Sequence, residues 1–124
     1  MHQEYKDKGV EILAVPCNQF AGQEKGTPEQ IIEYARKTYG AEFPILAKTE
    51  VNGKNTHELY KFLRTYSSLY DEKKKVSREI PWNYTKFLVS GDGQKVRYFN
   101  PREDPLKLRP FIDKFLAKDQ EDVL

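Results

Sequence analysis

Residues 9–24 read GVEILAVPCNQFAGQE, and this stretch decides the fold. Its apolar run VEILAVP, residues 10–16, begins after Gly9 and is closed by Pro16. A short run with apolar side chains on both faces suits a buried strand that pairs in parallel. Gly22 and Gly26 mark the loop that follows. Thr27 is placed to cap a helix, with Pro28 at the first helical position and Glu29 in the first turn. Ile31, Ile32, Tyr34, Ala35 and Tyr39 give that helix an apolar side, and Gly40 is a stop signal.

Beyond Gly40, residues 43–46, FPIL, read as a short extended piece and residues 51–54, VNGK, as a turn. Asn55 or Thr56 then starts a second helix with Leu59, Tyr60, Phe62, Leu63 and Tyr66 on one face. Residues 67–80 are polar and carry DEKKK, which reads as a solvated loop. Residues 85–90, TKFLVS, are a strand, Gly91-Asp92-Gly93 a hairpin turn, and residues 95–99, KVRYF, the returning strand. A last helix over 106–117 presents Leu108, Phe111, Ile112, Phe115 and Leu116, and the tail beyond it is expected to fray. This order predicts an α/β layer arrangement with a mixed sheet, one domain over residues 1–118 with a tail at 119–124.

Composition narrows the function. The chain is 38% hydrophobic and 32% charged, which predicts a soluble domain. A net charge of +2 is too small to argue for nucleic acid. No run of about 18 apolar residues is present, so no membrane insertion is expected. The start MHQEYKDKG has no apolar stretch of the kind a secretory signal needs, and one cysteine excludes an internal disulfide. The default expectation is therefore a cytoplasmic, reducing compartment. His2 and His57 stand too far apart to form a metal site with the one cysteine, and no metal is expected.

The candidate chemistry lies in residues 16–24, PCNQFAGQE, and 81–87, PWNYTKF. Gln23, Trp82 and Asn83 are three side-chain N–H donors, and no acid stands beside the last two. Such a set suits an anion held without a positive charge, as a thiolate is, whose pKa it lowers. Each also has a plainer reading: Gln23 as a polar loop residue, Trp82 as a large core side chain, Asn83 as a cap at the strand entry. Successive strand residues point to opposite faces, so Trp82 and Asn83 converge only if they sit on an irregular turn before the strand. Cys17 reads as a small buried hydrophobe, with a stand-in nucleophile as the sharper alternative.

The segments GVEILAVPCNQFAGQE, AEFPILAKTEVNGKNTHELYKFL and IPWNYTKFLVSGDGQKVRYFNP resemble the glutathione peroxidase family over about residues 4–117. The resemblance implies a thioredoxin-like fold and a thiol-dependent peroxidase that reduces hydrogen peroxide and organic or lipid hydroperoxides in antioxidant defence. It implies that Gln23, Trp82 and Asn83 are the donors of a catalytic tetrad around a peroxidatic cysteine or selenocysteine. That nucleophile has no counterpart in these 124 residues. By the same resemblance the chain lacks the central N-terminal strand and most of the helix after it. Taken alone, it is then expected to be unstable and near background in turnover. The alternative is a non-catalytic thioredoxin-like module completed by a partner strand.

Further expectations come from the same source. Arg36 stands where thioredoxin-dependent members keep a resolving cysteine. Glutathione or another thiol is then the reducing co-substrate, with no bound cofactor. The stretch from Tyr66 to Pro81 is shorter than the insertion of tetrameric members, which implies a monomeric full-length form of the phospholipid-hydroperoxide type. Lys73, Lys74 and Lys75 would add weak attraction to anionic headgroups.

Overall fold

A computed structural model describes residues 2–5, 7–20, 22, 26–40 and 42–123. The chain divides into two compact units, Met1–His57 and Glu58–Leu124.

The first unit opens with one helical turn, α1 (His2–Tyr5), which buries Tyr5. The strand expected at 10–16 is reduced to a single parallel bridge, Ala14 to Ile45. Ala14 N donates to Pro44 O at 3.0 Å, and Leu46 N donates to Ala14 O at 2.8 Å. The next rung of a parallel ladder would need an N–H from residue 16, and Pro16 has none. The pairing slips by one residue, and Thr49 N reaches Pro16 O at 2.8 Å. The parallel sense is as expected; the length is not, and proline chemistry is the reason.

Helix α2 (Pro28–Tyr39) forms as its sequence dictates. Thr27 Oγ1 accepts from Gln30 N at 3.2 Å, and Gln30 Oε1 accepts in return from Thr27 N at 3.0 Å. This reciprocal box satisfies two helix N-terminal donors. Gly40, at φ 64°, closes the helix in the left-handed region, where a Cβ would be strained. Ile31 is buried, but Tyr34, expected on the same side, is exposed.

The second unit begins with α3 (Glu58–Thr65), which buries Leu63 and leaves Tyr66 exposed just past its end. Residues 67–80 are not the solvated loop expected. They contain an antiparallel ribbon, β1 (Tyr70–Asp71) with β2 (Val76–Ser77), flanked by the buried Leu69 and Ile80. The charge run forms its tip, where Asp71 Oδ1 accepts from the backbone N–H groups of Lys73 at 3.0 Å and Lys74 at 3.1 Å. Arg64 of α3 ties the ribbon down, donating to Arg78 O at 2.9 Å and Ser77 O at 3.2 Å. The charges hid two buried apolar residues at the ribbon's ends.

Strands β3 (Lys86–Val89) and β4 (Val96–Phe99) pair antiparallel with Phe87 opposite Tyr98. Alternation sorts their side chains to two faces. On one, Phe87 lies 5.8 Å from Tyr98 and 6.2 Å from Tyr60 of α3, centroid to centroid. On the other, Phe99 meets Phe111 edge-on at 5.3 Å, and the Arg97 guanidinium lies 4.2 Å from the centre of the same Phe111 ring. Burial pushes the Tyr98 phenol above its usual pKa. A 3-10 turn (Pro105–Leu108), capped by Asp104, leads into α4 (Arg109–Val123), which buries Ile112. The helix runs to Val123, past the end expected at residue 117. Among the described residues, parallel and antiparallel pairing occur as a bridge and two ribbons, not as one continuous sheet.

Candidate active site

After Pro16 the chain leaves the parallel bridge as a loop, and one side chain holds that loop. Gln19 Nε2 donates to Asn52 O at 2.7 Å. Gln19 Oε1 accepts from Val51 N at 2.7 Å and from Asn52 N at 3.1 Å. The side-chain amide therefore stands in for a missing ladder rung and satisfies backbone groups that no strand reaches. The turn it grips is closed from the other side, where Thr56 Oγ1 donates to Gly53 O at 2.6 Å and His57 N to Glu50 O at 2.9 Å. His57 thus sits at the end of this turn, just ahead of α3.

Cys17 is a free thiol with 8% exposure. Its Sγ donates to Gln19 Oε1 and accepts from Gln19 N, each at 3.4 Å. Burial and this local pairing fit the reading of a packed side chain, because a reactive thiol needs access. Gln23 lies outside the described residues. Arg36 is exposed on α2.

The other donors lie on the chain's approach to β3. Residues 82–84 form a bend and turn, and regular strand begins only at Lys86. Trp82 and Asn83 are therefore not on alternating strand positions, and the irregular turn their convergence requires is present. Thr85 Oγ1 donates to Trp82 O at 2.7 Å, closing the turn on itself. Tyr84 takes φ 65°, one of two non-glycine residues at positive φ among those described. A bulky side chain there is an outlier. The indole of Trp82 is 46% exposed, so its ring is not the core side chain of the plainer reading. An indole N–H donates and cannot accept, and at a half-exposed turn it can present a hydrogen bond to an incoming anion. Among the described residues no cluster of His, Cys, Asp and Glu could hold a metal ion. No helix among them is long and apolar enough to cross a membrane.

Sequence reasoning thus identified the turn that carries Trp82 and Asn83. It missed Gln19 and Tyr84. Gln19 gave no signal, because its partners are 32 and 33 residues away. Tyr84 gave none either, because the commonest turns have negative φ throughout and no residue type here demands a reversed one.

Helices with parallel and antiparallel pairing make this an α/β protein, and its likeness to solved glutathione peroxidase structures makes the fold thioredoxin-like. The crystal structure of T. cruzi GPX1 is similar to it, with a TM-score of 0.67 and 33% identity, covering 94% of this chain and 66% of that one. The family model described as glutathione peroxidase matches residues 1–64. A probable glutathione peroxidase 2 from Arabidopsis thaliana is 44% identical over 95% of this chain and 67% of its own length. A probable phospholipid hydroperoxide glutathione peroxidase from Mesembryanthemum crystallinum is 44% identical over 94% and 66%. The chain belongs to the glutathione peroxidase family, a family of thiol-dependent peroxidases. It spans about two thirds of the length of these relatives.

Proposed function

We propose that these residues are the donor-bearing part of a thiol-dependent peroxidase that reduces hydrogen peroxide and organic or lipid hydroperoxides. The observation that carries the reading is the Trp82–Asn83 turn, with its half-exposed indole held just ahead of β3. In the reaction a thiolate or selenolate attacks one peroxide oxygen. The O–O bond breaks, and the other oxygen leaves as alkoxide or hydroxide and takes a proton. The oxidised sulfur or selenium is then reduced by two thiols, which release water and form a disulfide. Gln23, Trp82 and Asn83 hold the attacking anion at low pKa and stabilise charge on the leaving oxygen.

The attacking atom in this proposal is not Cys17, whose burial and pairing with Gln19 support a packing role. It is a Cys or selenocysteine outside residues 1–124. Glutathione or another thiol is the reductant and no cofactor is bound. Support comes from Arg36, which occupies the place where the family resemblance puts a resolving cysteine. A monomeric form fits the small β1–β2 ribbon that fills residues 67–80. Lipid hydroperoxides as substrates are supported by the name of the Mesembryanthemum relative and by the exposed lysines 73–75 at the ribbon tip.

The test compares residues 1–124 with the protein translated from the longest reading frame through Met1, using glutathione and cumene hydroperoxide. Turnover is expected from the longer protein only, and Trp82→Phe in it should lower kcat/KM by roughly 10²-fold, as loss of one transition-state donor does. Turnover by residues 1–124 that disappears in Cys17→Ser would sink the proposal.

A further inference from the structure

We infer that Tyr84 is a specificity-determining residue, its ring being the surface on which the organic group of a hydroperoxide rests beside Trp82. The inference rests on the peroxidase reading for its substrate class and on the geometry of one residue for its location.

Tyr84 carries two unfavourable features at once. At φ 65° its Cβ crowds the backbone, a strain that glycine lacks and asparagine tolerates. Tyr84 is also 84% exposed, so no described residue offsets the strain by burying the ring. No hydrogen bond or ring contact to a described residue engages that side chain. Lys75, the other non-glycine residue at positive φ among those described, differs on the second count. It ends the β1–β2 tip, whose preceding N–H groups are fixed by Asp71, and its charged head belongs in water. An aromatic ring does not. Strain retained at one bulky residue and left uncompensated by packing is the pattern of a site whose contact arrives with a ligand.

The position names the ligand. Tyr84 follows Trp82 by two residues, and consecutive Cα atoms are about 3.8 Å apart, so the two Cα atoms lie within about 7.6 Å. A peroxide group held by the Trp82 indole N–H therefore brings its organic substituent within reach of the Tyr84 ring. Apolar contact with that ring removes exposed surface from water and selects organic hydroperoxides over hydrogen peroxide, which has no substituent to offer. The ring suffices for this, so the hydroxyl is dispensable.

Two measurements decide the inference. Trp82 is the only tryptophan, so its fluorescence reports on this turn alone. In the 124-residue chain, its fold first verified by far-UV circular dichroism, titration with 2-phenyl-2-propanol, the alcohol left by cumene hydroperoxide, should perturb the emission saturably. Tyr84→Phe should keep the wild-type midpoint, and Tyr84→Asn, which relieves the backbone and melts no lower, should weaken it at least threefold. An unsaturable response, or one midpoint for wild type and Tyr84→Asn, overturns the inference. In the longer protein, Tyr84→Asn should lower the ratio of kcat/KM for cumene hydroperoxide to that for hydrogen peroxide by roughly three- to tenfold, with Tyr84→Phe retaining the ratio. A parallel fall for both peroxides would make Tyr84 a structural residue and overturn the inference. If wild type turns over neither peroxide, the peroxidase reading fails, and the fluorescence titration still decides whether the ring binds an organic group.

Discussion

The parallel bridge at Ala14 and the antiparallel ribbon β3–β4 pair their backbones by different means. In the ribbon, four residues face four in register, and the turn is held by near neighbours. Ser90 N donates to Lys95 O, and Asp92 accepts from both Ser90 and Gln94. Around the bridge, Pro16 interrupts the ladder, and the job of holding residues 17–20 to residues 51–52 falls to the Gln19 side chain. A repeated backbone pattern spreads stability over many bonds and over the aromatic faces it builds. A single side-chain amide concentrates it in one residue. The two regions should therefore fail differently when mutated.

The largest effect is expected in the ribbon's packing, not in its hydrogen bonds. Phe99 is buried and meets Phe111 edge-on. Phe99→Ala should cost about 3–5 kcal/mol, the usual range for truncating a buried aromatic. Urea unfolding monitored by far-UV circular dichroism measures it. A loss below about 1 kcal/mol would mean that the ribbon is held by its ladder and turn, and the contrast would need restating.

Gln19→Ala comes next. It leaves the N–H of Val51, itself a buried residue, and the backbone groups of Asn52 without their side-chain partner. An orphaned buried polar group costs about 1–3 kcal/mol, so the expected loss is about 2 kcal/mol. Hydrogen exchange sharpens the test. The Val51 and Asn52 amides should exchange faster while those of β3 and β4 do not change. Gln19→Glu keeps the acceptor and removes the donor to Asn52 O, so it should fall between alanine and wild type. Uniform acceleration across the chain would show that Gln19 is not a local staple.

That contrast also explains what could be read from the sequence. The ribbon was legible because Gly91-Asp92-Gly93 is local chemistry and the flanking residues alternate. The capping box at Thr27 and the stop at Gly40 were legible for the same reason. Gln19 was not, because nothing near it in the chain reveals a partner more than thirty residues on. The run VEILAVP promised a strand by composition, and one missing N–H at Pro16 cut the ladder short. Residues 67–80 misled in the opposite sense. Their charges describe the tip of a ribbon, while Leu69 and Ile80, one apolar residue at each end, decide that the segment folds back. At the candidate site, the turn bearing Trp82 and Asn83 was legible, but Tyr84's reversed φ is a property of backbone geometry, and no residue type announces it.

A smaller effect is expected on the second face of the ribbon. Arg97 lies over the Phe111 ring and is exposed, so Arg97→Ala should cost about 0.5–1 kcal/mol, the range of a solvent-accessible cation–π pair. Arg97→Lys should recover part of it. If Arg97→Ala costs as much as Phe99→Ala, the guanidinium supports packing through its stem more than through its charge.

The smallest effect belongs to the turn of the ribbon and appears only in acid. The Ser90 hydroxyl, donating to Asp92 Oδ1 at 2.7 Å, is the main cause that lowers the Asp92 carboxyl below its ordinary pKa of 3.8, and the Gln94 backbone N–H adds to it. Because the folded value lies below the unfolded one, this contribution to stability is fully present above the unfolded pKa. It is lost as pH falls through the folded value. Ser90→Ala removes the first donor and also the acceptor that Lys95 N uses at 3.0 Å. The Asp92 pKa should then rise toward 3.8, and the variant's stability deficit should be larger at neutral pH than in acid. Carbon-detected NMR titration of the Asp92 carboxyl gives the shift directly. An unperturbed Asp92 in the wild-type chain would mean that the backbone alone closes this turn. The difference between a ladder-held ribbon and a side-chain-held loop would then be sharper than the side chains at Ser90 and Asp92 suggest.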